Sequence, residues 1–132
     1  MSDLMNFLIE NPVDDLTEEI MLSKRLKKFK IKIKAMSGTE FSEYQKLSTK
    51  IGRHKKVEFD TKKFNELIII NHTVEPNFKD SESLKKAGVQ TPEQLLYKSL
   101  LAGEISDLAE QISKLSGFDT DINEDIDEAK NS

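Results

Sequence analysis

The sequence lacks cysteine altogether. Without thiols the chain can form no disulfide, thiol nucleophile, zinc–thiolate site or iron–sulfur cluster. It also lacks any apolar run approaching the roughly 20 residues that a bilayer-spanning helix requires. Its opening segment, residues 1–15, carries acids where a secretory signal needs positive charge. From these absences we expect a chain with no membrane association that works in a reducing cytoplasm.

Recognisable catalytic motifs are absent as well. The chain contains no glycine-rich phosphate loop, no nucleophile elbow and no metalloprotease helix. Its two histidines, His54 in a basic loop and His72 at the end of a helix, have no acid–base partner nearby in the sequence. We interpret both as surface histidines and expect a protein that is not an enzyme, with no cofactor and no small-molecule substrate.

Charge is segregated along the chain, although the net charge is only −4. Residues 24–34 hold seven Lys or Arg and no acid, whereas residues 119–128 hold six Asp or Glu and no base. The basic segment could follow a phosphate backbone, so nucleic-acid binding is one hypothesis. Lysines opposite an apolar face also keep a strand soluble and prevent edge pairing, and a net negative domain repels nucleic acid. Both observations argue against nucleic-acid binding.

Acidic residues near the C-terminus alternate in the manner of a calcium-binding loop: Asp119, Asp121, Asn123, Asp125 and Asp127. The match fails at two essential positions. Glu124 stands where the loop needs glycine, and Lys130 stands where it needs a bidentate glutamate. We expect no metal site and interpret this segment as a solvated acidic tail.

Hydrophobic spacing predicts a single domain of the α+β class. Apolar residues alternate with polar ones around 20–22 and again over 29–35, which indicates an N-terminal antiparallel β-hairpin joined near residues 24–27. The remainder is predicted to be mostly helical and to pack with this hairpin. We divide the chain into an N-terminal arm (1–18), the hairpin with the helical domain (19–117) and an acidic tail (118–132).

Capping signals locate the first long helices. Ser37 and Glu40 have capping-box spacing and predict a helix that runs to about Lys50. Asp60 predicts the start of a second helix, behind a short strand that contains Val57 and Phe59. The apolar run 67–70 fits either a buried strand or this helix, and its spacing from the capping aspartate favours the helix.

The second half carries further start and stop signals. A short helix is predicted over 81–87, ending at Gly88. Thr91-Pro92-Glu93-Gln94 combines a capping threonine, a first-turn proline and capping-box spacing. It predicts either two helices or one helix bent at Gly103, over residues 92–116.

An apolar stripe on the last predicted helices is the first candidate for partner binding. Its members are Leu101, Ile105, Leu108, Ile112 and Leu115. Two interpretations stay open, because such a stripe can be the core-facing side of a helix or a helix-in-groove contact. Phe78, in the loop 75–78, is a second candidate, as an exposed aromatic anchor.

Three stretches resemble the XkdN-like phage tail assembly chaperones, which occur in phages and prophages of Gram-positive bacteria. They are KFKIKIKAMSGTEF (28–41), VEFDTKKFNELIIINHTVEPNFKD (57–80) and GVQTPEQLLYKSLLAGEISDLAEQISKLSGFD (88–119). VEPNF, TPEQLL and LLAGEIS are the most specific parts. The resemblance extends over about residues 19–125 and brings no catalytic residue with it.

The resemblance implies a chaperone that binds the tape measure protein, keeps its long helices soluble and recruits tail tube subunits during tail assembly. Such a protein acts in the cytoplasm of the bacterial host and is absent from the mature virion. In this setting a frameshifted product can extend the chain, and self-association is open. The alternative function is a small nucleic-acid-binding phage regulatory protein that uses the basic strand 24–34.

Overall fold

The computed structural model describes residues 2–118. Within them the helices are α1 (Asp3–Glu10), α2 (Gly38–Leu47), α3 (Thr61–His72), α4 (Ser81–Ala87), α5 (Pro92–Ser99) and α6 (Ala102–Leu115). The strands are β1 (Thr17–Ile20), β2 (Ile31–Lys34), β3 (Thr49–Ile51), β4 (Val57–Phe59) and β5 (Thr73–Glu75). The predicted α+β class is confirmed, whereas the predicted acidic tail and its calcium-like pattern lie almost entirely outside the described residues.

Strands β1, β2 and β5 form an antiparallel sheet with β2 in the centre. The predicted pairing of the first two strands is confirmed, with Thr17 opposite Lys34 and Ile20 opposite Ile31. Residues 21–30 connect them through a short 3₁₀ turn, so this is not a tight hairpin. Strand β2 begins only at Ile31, which leaves Phe29, predicted to face the core, exposed before the strand.

Strands β3 and β4 form a separate two-stranded sheet. The prediction of helix up to Lys50 is wrong, because α2 ends at Leu47 and the next residues pair with β4. The predicted strand around Val57 and Phe59 is confirmed as β4. Strand β5 gave no sequence signal, since its three residues follow α3 directly and are too few to show alternation.

The capping predictions for the helices are confirmed. Ser37 and Thr91 each complete a capping box, and the Asp60 side chain accepts a hydrogen bond from the Lys63 N–H at 3.0 Å. Gly88 closes α4 with a φ of 73°, a conformation that glycine adopts without a steric penalty. The break between the last two helices falls at 100–101, ahead of Gly103, so two helices form.

The hydrophobic core lies between the three-stranded sheet and helices α3, α5 and α6. Its fully buried apolar side chains come from each of these layers: Ile33, Ile68, Ile69, Leu96, Leu108 and Ile112. Burying a side chain of this size contributes about 1.5–3 kcal/mol relative to leaving it exposed. The sheet and the C-terminal helices therefore form one structural unit.

Candidate protein-binding site

The predicted stripe on α6 divides between core and surface. Leu108 and Ile112 are fully buried and belong to the hydrophobic core, and Ile105 and Leu115 pack partly against that core. Leu101, one residue before α6, is exposed. Most of the stripe therefore stabilises the fold, in agreement with its interpretation as the core-facing side of a helix.

Phe78 is also in the core. Its side chain is only 2% exposed, so the prediction of an exposed aromatic anchor is wrong. The loop that follows β5 turns Phe78 inward, where it joins the main apolar cluster. A proline-interrupted loop gives no sequence signal for the direction of its side chains, and this orientation could not be foreseen.

A groove of about 600 Å³ lies directly over Phe78. It is bounded by the segment that enters β2, by the loop after β5 and by α5. Its principal apolar lining residues are Leu26, Phe29, Ile31, Pro76, Phe78, Leu95 and Leu100. Lys30, Glu75 and Asp80 supply its charged groups. A mostly apolar concave surface with a few charges has the character of a site for side chains of another molecule.

A partly buried ionic cluster holds two walls of this groove together. Glu104 accepts hydrogen bonds from Arg25 Nη2 and Ser23 Oγ, both at 2.5 Å, and from the Leu101 N–H at 2.8 Å. Arg25 also donates to the Ser99 carbonyl at 3.0 Å. The hydrogen bond from Arg25, with those from Ser23 and Leu101, lowers the pKa of Glu104 to about 2. Glu104 thereby ties the segment before β2 to the junction of α5 and α6.

The histidines differ from the prediction of two surface residues. His54 is exposed, but His72 is completely buried, with Nε2 at 2.8 Å from the Tyr44 hydroxyl and 3.7 Å from Glu40 Oε2. Burial lowers the pKa of His72, so the ring is neutral at neutral pH. Because the ring is fully enclosed and lies outside the residues that line the groove, it serves the packing of α2 on α3.

The basic segment 24–34 does not form a single continuous face. Lys32 is exposed on β2 and Lys34 half-buried, whereas Lys28 and Lys30 precede the strand. Arg25 is committed to the cluster with Glu104. Sequence reasoning therefore overestimated the regularity of this segment and missed that Phe29 and Lys30 border the groove.

Metal sites and membrane-spanning helices were both sought within residues 2–118. Within that range, no group of three or more His, Asp or Glu side chains is arranged to hold a metal ion. None of the helices between these limits combines the length and apolar character needed to cross a membrane.

Comparison with known proteins yields a family and a fold. A model described as phage XkdN-like tail assembly chaperone protein matches residues 4–130. No curated protein matches the chain. The crystal structure of the protein yqbn is similar in fold, with a TM-score of 0.70 and 23% sequence identity, over 90% of this chain and 99% of that one. The family match includes the N-terminal arm, which the resemblance in the sequence had left out.

Proposed function

The chain belongs to the phage XkdN-like tail assembly chaperone family, and from this premise we propose that it binds the tape measure protein and helps recruit tail tube subunits. It acts by binding alone, in the cytoplasm of the bacterial host, and does not remain in the finished virion. Its client is a helical segment of the tape measure protein, whose apolar side chains it shields until the tail assembles.

The groove over Phe78 is the observation that carries this proposal. Helix-in-groove binding places apolar anchors at positions i, i+3 or i+4 and i+7 into a concave apolar surface. The groove supplies such a surface from three separate elements, and Glu104 holds two of them in place. Lys30, Glu75 and Asp80 are available to charged residues that flank the anchors of the client.

The residues predicted from the sequence contribute in two ways. Phe78 forms part of the groove lining, and the exposed Leu101, next to Leu100, extends the contact beyond it. The remaining members of the stripe act through the core that holds α6 in place: Ile105, Leu108, Ile112 and Leu115. A charged substitution at a buried member of the stripe would unfold the domain and cannot test client binding.

An exposed groove residue provides the test. Phe29 and Met21 are both 65% exposed, but only Phe29 lines the groove. We expect the parent chain and Met21→Asp to keep the C-terminal part of the cognate tape measure protein soluble on co-expression and to co-elute with it. Phe29→Asp should lower the yield of complex about tenfold or more, because it places a charge in an apolar contact. Circular dichroism should show the same fold for all three proteins.

Two outcomes would contradict the proposal at different levels. A client that stays insoluble with the parent chain at every salt concentration would refute tape measure binding. A Phe29→Asp variant that yields as much complex as Met21→Asp would leave client binding intact but exclude the groove as its site.

A further inference from the structure

Helix α1 presents an apolar surface that no other part of residues 2–118 covers. It has no buried residue, and its exposed large apolar side chains are Leu4, Met5, Phe7, Leu8 and Ile9. Leu4, Phe7 and Leu8, at i, i+3 and i+4, share one face. A helix of only eight residues is unstable alone in water, so α1 gains its stability where this face is buried against another surface.

The hairpin of β3 and β4 presents a second apolar surface, which is partly covered at Phe59, whose ring centroid lies 5.2 Å from that of Phe64 in α3. Its register places Ile51 opposite Val57 and Thr49 opposite Phe59, so these four side chains share one face of the ribbon. Ile51 is 79% and Val57 72% exposed, the highest values for large apolar side chains within residues 2–118. An isolated two-stranded ribbon is marginally stable, which gives this face, too, a reason to be covered.

The two surfaces carry opposite charge. Residues 2–16, the part of the arm that precedes β1, hold four acids and no Lys or Arg: Asp3 and Glu10 in α1, and Asp14 and Asp15 after it. The hairpin over residues 49–59 holds four bases and one acid: Lys50, Arg53, Lys55, Lys56 and Glu58. Asp60, directly after the hairpin, has its Oδ2 at 3.8 Å from Lys50 Nζ. This contact does not neutralise the basic residues at the turn. An acidic amphipathic helix therefore complements the hairpin in both polarity and charge.

The turn of the hairpin adds an independent observation. His54 and Lys55 both have positive φ, of 61° and 60°, although neither is glycine. This conformation costs roughly 1–2 kcal/mol per non-glycine residue. Strained backbone of this kind concentrates at functional sites. The connection between the paired Ile51 and Val57 runs over residues 52–56, and its positive-φ positions carry basic side chains instead of glycine.

We propose that α1 of one copy docks on the β3–β4 hairpin of a second copy, so that two chains associate by exchanging their N-terminal arms. The same contact made twice gives a closed twofold dimer. The client groove is a poorer partner for the arm, because Glu75 and Asp80 outnumber Lys30 among its charged lining residues and would repel an acidic helix. The proposal is independent of client binding, since it uses a different surface.

Sedimentation of the full chain without client tests the proposal. Phe7→Asp alters the arm and Val57→Glu alters the hairpin. Met21→Asp is the control, because Met21 is 65% exposed against 60% for Phe7 and lies outside the arm, the hairpin and the groove. We expect the parent and the control to dimerise. The arm and hairpin variants should each weaken the dimer about tenfold or more, because each removes an apolar anchor from both copies of the contact.

Mixing the two variants distinguishes exchange from other arrangements. The Phe7→Asp chain keeps an intact hairpin and the Val57→Glu chain keeps an intact arm, so their mixture can form one of the two contacts. We expect the mixed heterodimer, which keeps one intact contact, to form at a lower concentration than either variant homodimer, which keeps none. A parent chain that is monomeric at all concentrations overturns the proposal, as does dimerisation unaffected by both variants. A third outcome is a monomeric parent chain that binds duplex DNA in a salt-sensitive manner. If Lys55→Glu abolishes this binding, the hairpin is a nucleic-acid site instead.

Discussion

Among single residues, Glu104 connects the groove to the stability of the fold. Its pKa is about 2 in the folded chain, against an ordinary value of 4.5, because Arg25, Ser23 and Leu101 donate hydrogen bonds to its charged form. A depressed carboxyl pKa stabilises the folded state above the unfolded pKa, and this contribution is lost as the pH falls towards the folded pKa. The ionic cluster should therefore weaken between about pH 4.5 and pH 2.

The first prediction follows from this linkage. Glu104→Gln should lower the free energy of unfolding at neutral pH and reduce its decline between pH 4.5 and pH 2. Urea unfolding across that range measures both effects. Glu110→Gln is a suitable control, because Glu110 makes only a surface pair with Lys114 at 3.5 Å. An unchanged pH dependence in the Glu104 variant would show that the cluster does not control acid stability.

Two tyrosines provide a matched pair for the second prediction. The Tyr44 hydroxyl is hydrogen-bonded to the buried His72, whereas the Tyr97 hydroxyl donates to Glu66 at the surface, each at 2.8 Å. Tyr44→Phe should lower the free energy of unfolding by about 1–3 kcal/mol, since it leaves a buried ring nitrogen without a partner. Tyr97→Phe should change it by less than about 0.5 kcal/mol. Equal losses in chemical denaturation would contradict the buried role of His72.

At the level of elements, the β3–β4 hairpin has a turn that its sequence does not favour. His54 and Lys55 both have positive φ, a conformation that glycine and asparagine adopt more readily than other residues. The double substitution His54→Asn with Lys55→Gly should stabilise the hairpin by about 1 kcal/mol or more, because it relieves this strain. Hydrogen exchange of the hairpin amides measures the effect. The pair His54→Ala with Lys55→Ala removes the same side chains without supplying glycine and should give no stabilisation.

At the level of the whole molecule, the stability of the domain should depend on the hydrophobic core and not on the arm. Helix α1 buries no residue, so deletion of residues 2–11 should leave the domain folded. We expect the melting temperature to change by no more than a few degrees at a concentration low enough for the chain to be monomeric. A larger loss would show that the arm packs on its own domain. The same deletion should abolish self-association at high concentration if arms are exchanged.

Charge is distributed over the molecule in a way that bears on its partners. Basic residues occupy both the segment 24–34 and the β3–β4 hairpin, while the arm is acidic. Arg25 is bound by Glu104, so part of the basic segment is neutralised within the chain. This arrangement favours pairing between oppositely charged protein surfaces over a continuous track for a phosphate backbone.

Local signals in the sequence determined much of the secondary structure. The capping boxes at Ser37 and Thr91, the capping Asp60 and the closing Gly88 each satisfy backbone groups within a few residues, so their effect does not depend on the rest of the fold. Alternating polarity likewise revealed the pairing of β1 with β2. The family could be recognised in the same way, from stretches of sequence alone.

Tertiary structure decided which surfaces remain free to bind. Periodicity identifies an apolar face but does not say what covers it, and so Leu108 and Phe78 are buried whereas Phe29 and Ile51 are exposed. Strand β5, the groove and the bonds of Glu104 to Ser23 and Arg25 all join residues distant in sequence, and no local pattern encodes such contacts. The sequence alone therefore determined the helices and the family, while burial, set by packing across the whole chain, determined the candidate sites.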